Sequence, residues 1–304
     1  MKKLLIASTA LVASAGFAAA DVSLGGSAEM GIVDNGTNTQ FHNDIDVIFT
    51  LSGETDGGLS FGATIDLDEV TNAGDDNGIP SYDNDSSVYI KGGFGALTMG
   101  DTDGALDWAM SEIAMGTAIA DDHTAYFAYD GSHGGNGFFD SGTILRYDNT
   151  FGDFGVAVSA QDIDQTTDAV YALGLKYGAD LGGVNVGFGL GYQDAGVAGD
   201  MIGLSASTSV AGFDVVLNYA DGEIGGSDYD TMGIGLGYTT GALLMHANYT
   251  KSELGGASAD GYGLVVNYDL GGGAVVAAGY GKGDTGYGAA TTNDTFSLGL
   301  RMDF

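Results

Sequence analysis

The sequence predicts an all-β chain closed into a 16-stranded antiparallel transmembrane β-barrel. Three observations carry this prediction. Apolar residues recur at every second position in segments of about ten, aromatic residues cap many of these segments, and tight turns exchange with longer polar connections. No segment after the N-terminal stretch qualifies as a helical span, because Gly, Asp or Asn interrupts every apolar run.

The first segment, VSLGGSAEMGIV, places Val22, Leu24, Gly26, Ala28, Met30 and Ile32 on one face and Ser23, Gly25, Ser27, Glu29 and Gly31 on the other. In FHNDIDVIFTLSG, Phe41, Ile45, Val47, Phe49 and Leu51 share a face, with His42, Asp44, Asp46 and Thr50 opposite. Leu59, Phe61, Ala63, Ile65 and Leu67 continue the pattern against Ser60, Thr64, Asp66 and Asp68. Later segments such as VNVGFGLGY, TMGIGLGY and FSLGLRMDF keep the same period, their second faces filled by Gly, Ser, Thr, Asn, Asp and His. The strands fall near 22–33, 41–52, 58–69, 86–92, 95–100, 141–149, 153–161 and 169–178, then near 184–193, 201–210, 213–220, 230–239, 241–250, 261–269, 273–281 and 292–304. Tight turns at 52–58, 92–96, 149–153 and 239–241 exchange with longer connections at 70–85, 101–140, 162–168, 194–200, 221–229, 251–260 and 281–291.

A water-soluble sandwich would use such strands to build an inner core. Strands of about ten residues with an apolar exterior and aromatic ends suit a bilayer instead. The end caps are Tyr177, Tyr192, Tyr219, Tyr238, Tyr249, Tyr268, Tyr280 and Phe304. Closure into a barrel satisfies every backbone donor and acceptor without leaving an edge in lipid.

Composition agrees. Gly occurs 55 times, Pro once at Pro80 and Cys not at all, so no disulfide framework holds the chain. Residues 1–20 read as a secretory signal peptide: Lys2 and Lys3, an apolar run from Leu4 to Phe17, then Ala18-Ala19-Ala20. Residues 21–304 then form a single barrel domain, with a formal charge of −33 with Lys2 and Lys3 and −35 without them. Charge-driven binding to nucleic acid is excluded by that sign.

The start DVSLGGSAEMGI, the end FSLGLRMDF and the long segment LTMGDTDGALDWAMSEIAMGTAIADDHTAYFAYDG together resemble the general diffusion porins of Gram-negative outer membranes, closest to the alphaproteobacterial, Rhodobacter-type porins. The resemblance implies a homotrimer of 16-stranded barrels in the outer membrane, among its lipids and lipopolysaccharide, with the third long loop folded inward at about 101–140. It also implies passive diffusion of small hydrophilic solutes and ions with no cofactor required, although some members bind calcium.

With the third loop inside, Asp101, Asp103, Asp107, Glu112, Asp121 and Asp122 are candidates to line the constriction. ALDWAMSEIAMG has helix-like spacing that lets Leu106, Met110 and Ile113 pack on the wall while Asp107 and Glu112 face water. The opposite wall is unusual for the family. Related porins carry basic side chains on the first three strands, whereas this chain has Glu29, Asp44, Asp46 and Asp66 there, with Asp68 on the same face. In tight hairpin registers Glu29, Asp44 and Asp66 would form one row. Bases on the polar face are Lys91, Arg146, Lys176 and Arg301, of which Arg146 and Arg301 can pair with Asp148 and Asp303. Acid facing acid predicts a cation-selective pore.

Calcium, if bound, has acidic runs available at Asp75-Asp76, Asp83 with Asp85, and Asp121-Asp122, though none has the spacing of a known calcium loop. No catalytic motif surrounds His42, His123, His133 or His246, so the chain does not read as an enzyme. Two other readings remain at this level: a secreted acidic calcium-binding β-solenoid or adhesin, and a structural or receptor barrel without an open pore. The first would need tandem repeats, and GGSDYDTMG from Gly225 is an isolated partial match.

Overall fold

The computed structural model describes residues 21–70, 81–120, 123–129, 143–161 and 169–304. Sixteen strands run in order: β1 (Asp21–Asp34), β2 (Thr39–Glu54), β3 (Ser60–Val70), β4 (Ser81–Gly92), β5 (Gly95–Gly100), β6 (Ile144–Phe151), β7 (Phe154–Gln161) and β8 (Val170–Asp180). They continue as β9 (Asn185–Asp194), β10 (Gly199–Val210), β11 (Phe213–Ile224), β12 (Ser227–Thr240), β13 (Leu243–Leu254), β14 (Ala257–Gly271), β15 (Ala274–Asp284) and β16 (Thr292–Asp303). Each pairs antiparallel with its sequence neighbours, and β16 returns to β1, from Ser27 opposite Asp303 to Asp34 opposite Phe296. The closed barrel bears out the expected fold class.

Several strands are longer than expected. The connections expected at 221–229 and 251–260 are strand ends joined by two-residue turns, Gly225-Gly226 and Gly255-Gly256. All four glycines have positive φ, between 56° and 82°, which matches the right-handed twist of a hairpin and is costly for other residues. The acids of these segments suggested loops, yet a ladder that rises above the apolar belt into water can carry acids on its outer face. Likewise β4 begins at Ser81, five residues before the expected start.

The outer face is apolar along the middle of the strands, where Leu24, Phe49, Ile65, Leu173, Leu204, Leu236 and Leu298 are exposed. Aromatic rings ring both borders. At the end where the chain starts and finishes, Phe154, Tyr177 and Phe188 form a run with centroids 4.9 and 6.4 Å apart, and Phe213 meets Tyr238 at 4.4 Å. At the other end Tyr262 and Tyr280 lie 6.2 Å apart. Two girdles around an apolar band are the boundary pattern of a membrane barrel.

Candidate functional site: the narrowed lumen

The long connection between β5 and β6 leaves the wall at Gly100, whose φ of 129° turns the chain, and the Asp101 amide donates to the Ser86 carbonyl at 2.9 Å. It then forms a short helix, α1 (Ala105–Ala109), packed on β7, β8 and β9. The helical spacing expected through Gly116 ends at this one turn, because Met110 is already extended. Beyond it the backbone bonds to the barrel instead of to itself: Ser111 N donates to Ser205 Oγ at 2.9 Å, and Asn218 Nδ2 donates to Ser111 O at 3.3 Å.

The loop follows the inner wall from β6 round to β1. Arg146 Nη1 on β6 donates to Asp103 O at 2.8 Å, and Ala105 N donates to Ser159 Oγ on β7 at 2.8 Å. Asn267 on β14 brackets Thr117, accepting from its N–H at 2.9 Å and donating to its carbonyl at 2.7 Å. Glu29 Oε2 on β1 accepts from Ala120 N at 3.0 Å, and the His123 ring lies 3.1 Å from Thr295 Oγ1 and 2.8 Å from Ser297 Oγ on β16. Phe127 O accepts from Ser252 Oγ on β13 at 2.9 Å. Arg146 and Glu29 were expected on the polar face, whereas Ser159, Asn267, Ser252, Thr295 and Ser297 were not singled out in the sequence.

Apolar contacts seat the same path. Leu106, Ile113 and Ile119 are buried, and Met110 lies against Gly203, as the predicted wall contacts of Leu106, Met110 and Ile113 require. The bed is largely glycine. Cβ atoms added at Gly174, Gly189 and Gly235 would lie 2.0, 2.0 and 2.1 Å from the loop carbonyls of Ala105, Ala109 and Ile113. Gly174, Gly189 and Gly235, on the polar faces of β8, β9 and β12, are therefore space for the loop. Their recurrence opposite the apolar face was the readable signal.

The sequence-predicted residues sort into three groups. Asp103 and Arg146 meet, with Nη1 3.6 Å from Asp103 Oδ2 and Nε 3.1 Å from Asp148 Oδ1. Of the two acids expected to face water, Glu112 is exposed and Asp107 is half-buried on α1. Glu29 is 3% exposed and accepts from Arg301 Nη1 at 3.0 Å and from the Ala120 amide at 3.0 Å, with His42 Nε2 3.4 Å away, so it is no free lumen charge. Arg301 also reaches Asp303 at 3.4 Å.

Asp44, Asp46, Asp66 and Asp68 share the inner parity of β2 and β3, in a register other than the expected one. Glu29 opposes Asp44, but Asp44 opposes Val70 and Asp66 opposes Ile48, so the expected row of Glu29, Asp44 and Asp66 does not form. The connection from Glu54 to Ser60, closed by Thr55 N on Leu59 O at 2.8 Å, slides β3 relative to that simple pairing. A different row results, Asp46 opposite Asp68 and Asp68 opposite Asp83, with Asp66 opposite Asp85. Asp46 Oδ2 accepts from Ser27 Oγ at 2.5 Å, and Asp44 Oδ1 accepts from Ile45 N at 3.0 Å. Asp44, Asp46 and Asp66 make no ion pair with Lys or Arg among the described residues.

Two bases are held by aromatic rings. Lys176 Nζ lies 3.5 Å from the centroid of the Trp108 ring, and Lys91 Nζ lies 5.1 Å from that of Tyr89. His246 Nδ1 lies 3.1 Å from the Leu236 carbonyl, which can only accept, so this nitrogen carries the proton. Among the described residues no group of three His, Cys, Asp or Glu side chains is placed to hold a metal ion. Asp75, Asp76, Asp121, Asp122 and His133 lie outside the described residues.

A closed membrane barrel whose lumen is narrowed by a loop pinned to its inner wall is a channel of the diffusion type. The family description Gram-negative porin matches residues 7–288, and the chain belongs to that family. It is 29% identical to the porin of Rhodobacter capsulatus over 225 residues, covering 67% of this chain and 68% of the relative. Among solved structures, a porin refined at 1.8 Å resolution is 24% identical with a TM-score of 0.69, covering 93% of this chain and all (100%) of that one. A triple mutant of the Rhodopseudomonas blastica porin is 20% identical with a TM-score of 0.67, with the same coverage of 93% and 100%. Family and fold make the chain an outer-membrane porin channel.

Proposed function

We propose that this porin conducts ions and small hydrophilic solutes with a preference for cations. The carrying observation is the wall of β2 and β3, where Asp44, Asp46 and Asp66 lack any Lys or Arg partner among the described residues, while Arg146 and Arg301 are bound to acids. Asp68, Asp83 and Asp85 stand in register with them. Uncompensated carboxylates concentrate cations and repel anions at a narrow passage. Asp101, Asp107 and Glu112 on the loop add to the same sign, against Lys91 and Lys176. The test is the reversal potential across a planar bilayer in a KCl gradient: a potassium preference is expected, and a chloride preference would defeat the reading.

The same reading includes assembly as a homotrimer, contact with outer-membrane lipids and lipopolysaccharide, and removal of residues 1–20 on export. Calcium belongs to the proposal only at the acidic segments holding Asp75, Asp76, Asp121 and Asp122. A structural or receptor barrel would show no steady conductance in the same bilayer.

A further inference from the structure

We infer that Glu29 is a positioning residue that latches the far end of the constriction loop onto the seam where the first and last strands close the barrel. The loop leaves at Gly100 and rejoins the wall at Ile144, so the segment near residue 120 depends on anchors far from either root. Two neighbouring strands and the loop converge on the Glu29 carboxylate of β1. Arg301 on β16, directly opposite Glu29, donates to Oε1 at 3.0 Å, while His42 on β2 lies 3.4 Å from Oε2. The same Oε2 accepts the Ala120 amide at 3.0 Å.

Ala120 has a φ of 63°, the left-handed region that non-glycine residues enter at a cost and hold only when their surroundings fix them. Ile119 beside it is fully buried against Val33 and Ala277. A carboxylate is suited to the latch because it accepts the loop amide and the Arg301 guanidinium with separate oxygens. Glu29 therefore sets the width of the passage. This holds whether or not the pore prefers cations, since the acids proposed for selectivity are other residues.

The test compares Glu29→Ala with Glu29→Gln. Both remove one charge, and only Gln keeps an acceptor for the Ala120 amide. Polyethylene glycols of graded size are used to find the exclusion limit of single channels in a planar bilayer. Glu29→Ala is expected to admit larger polymers and to show a noisier open state, with Glu29→Gln close to the parent. Equal exclusion limits for the two variants would overturn the inference. Hydrogen exchange of the unmodified protein is a second measurement that needs no variant. The Ala120 amide should exchange about ten- to a hundredfold more slowly than unpaired loop amides, as a bond to a charged acceptor implies. Exchange as fast as theirs would also overturn the latch.

Discussion

Replacing Gly174 by alanine should dislodge the constriction loop, whereas the same change at Gly178 should leave it in place. The two glycines share the lumen face of β8, four residues apart, and neither has a positive φ. A Cβ at Gly174 would lie 2.0 Å from the Ala105 carbonyl oxygen and 3.0 Å from both its carbonyl carbon and Ala109 Cβ. Ordinary contact starts at 3.4 Å, so the loop must retreat by about 1.4 Å, and away from the wall is toward the lumen. At Gly178 the nearest atom is the Val186 oxygen at 4.0 Å, and the methyl is accommodated. Overpacking of this kind costs about 1–3 kcal/mol, against roughly 0.5 kcal/mol or less at an open site. Single-channel conductance in one KCl concentration and thermal melting in detergent read both effects. Gly174→Ala should conduct less and melt earlier, with Gly178→Ala matching the parent. Equal conductance and melting for the two variants would mean that α1 does not rest on β8.

Asp44→Asn combined with Asp46→Asn should lower the potassium-over-chloride permeability ratio severalfold, because a unit charge about 5 Å from a passing ion is worth about 0.8 kcal/mol in water; an unchanged ratio would move the filter elsewhere. Asn267→Ala removes both bonds to Thr117 and should cost about 1–3 kcal/mol of stability, read by denaturant titration, with more open-channel noise. If the acidic segments around Asp75 and Asp121 hold structural calcium, a chelator should lower the melting temperature of the assembled protein, and an unshifted melt removes calcium from the proposal.

The alternation of Val22 to Ile32, or of Phe41 to Leu51, exposes the fold directly because lipid and water face opposite sides of one strand. Strand ends were harder to read where the apolar face stops at the membrane border and the ladder continues, as in β11 to β14. Residue parity also identified the lumen-facing acids, but not which of them are free. The bonds that occupy Glu29 come from Ala120 and Arg301, 91 and 272 positions away, and no local pattern connects residues so distant. The same limit hid Asn267, Ser159, Ser205 and Ser297, which look like ordinary polar-face residues until the loop lies on them.

The large negative charge of the chain is by itself a poor guide to selectivity, because the acids divide between two faces. At the upper ends of β9 to β13, Asp194 opposes Asp200, Asp200 opposes Glu223, and Asp221 opposes Asp230, which in turn opposes Glu253. These residues share parity with Tyr192, Tyr219 and Met232, all exposed on the outer surface, so their carboxylates point away from the lumen. Like charges directly across a ladder are destabilising. Here the tyrosines relieve part of the strain: Tyr219 Oη donates to Asp221 at 3.2 Å and Tyr192 Oη to Asp200 at 3.4 Å, while Lys251 pairs with Glu253 at 2.8 Å. An ion in the passage instead meets Asp44, Asp46 and Asp66, on the inner parity of β2 and β3, with Asp68, Asp83 and Asp85 in register beside them. What predicts cation preference is the placement of these few aspartates on the inner parity of β2 to β4.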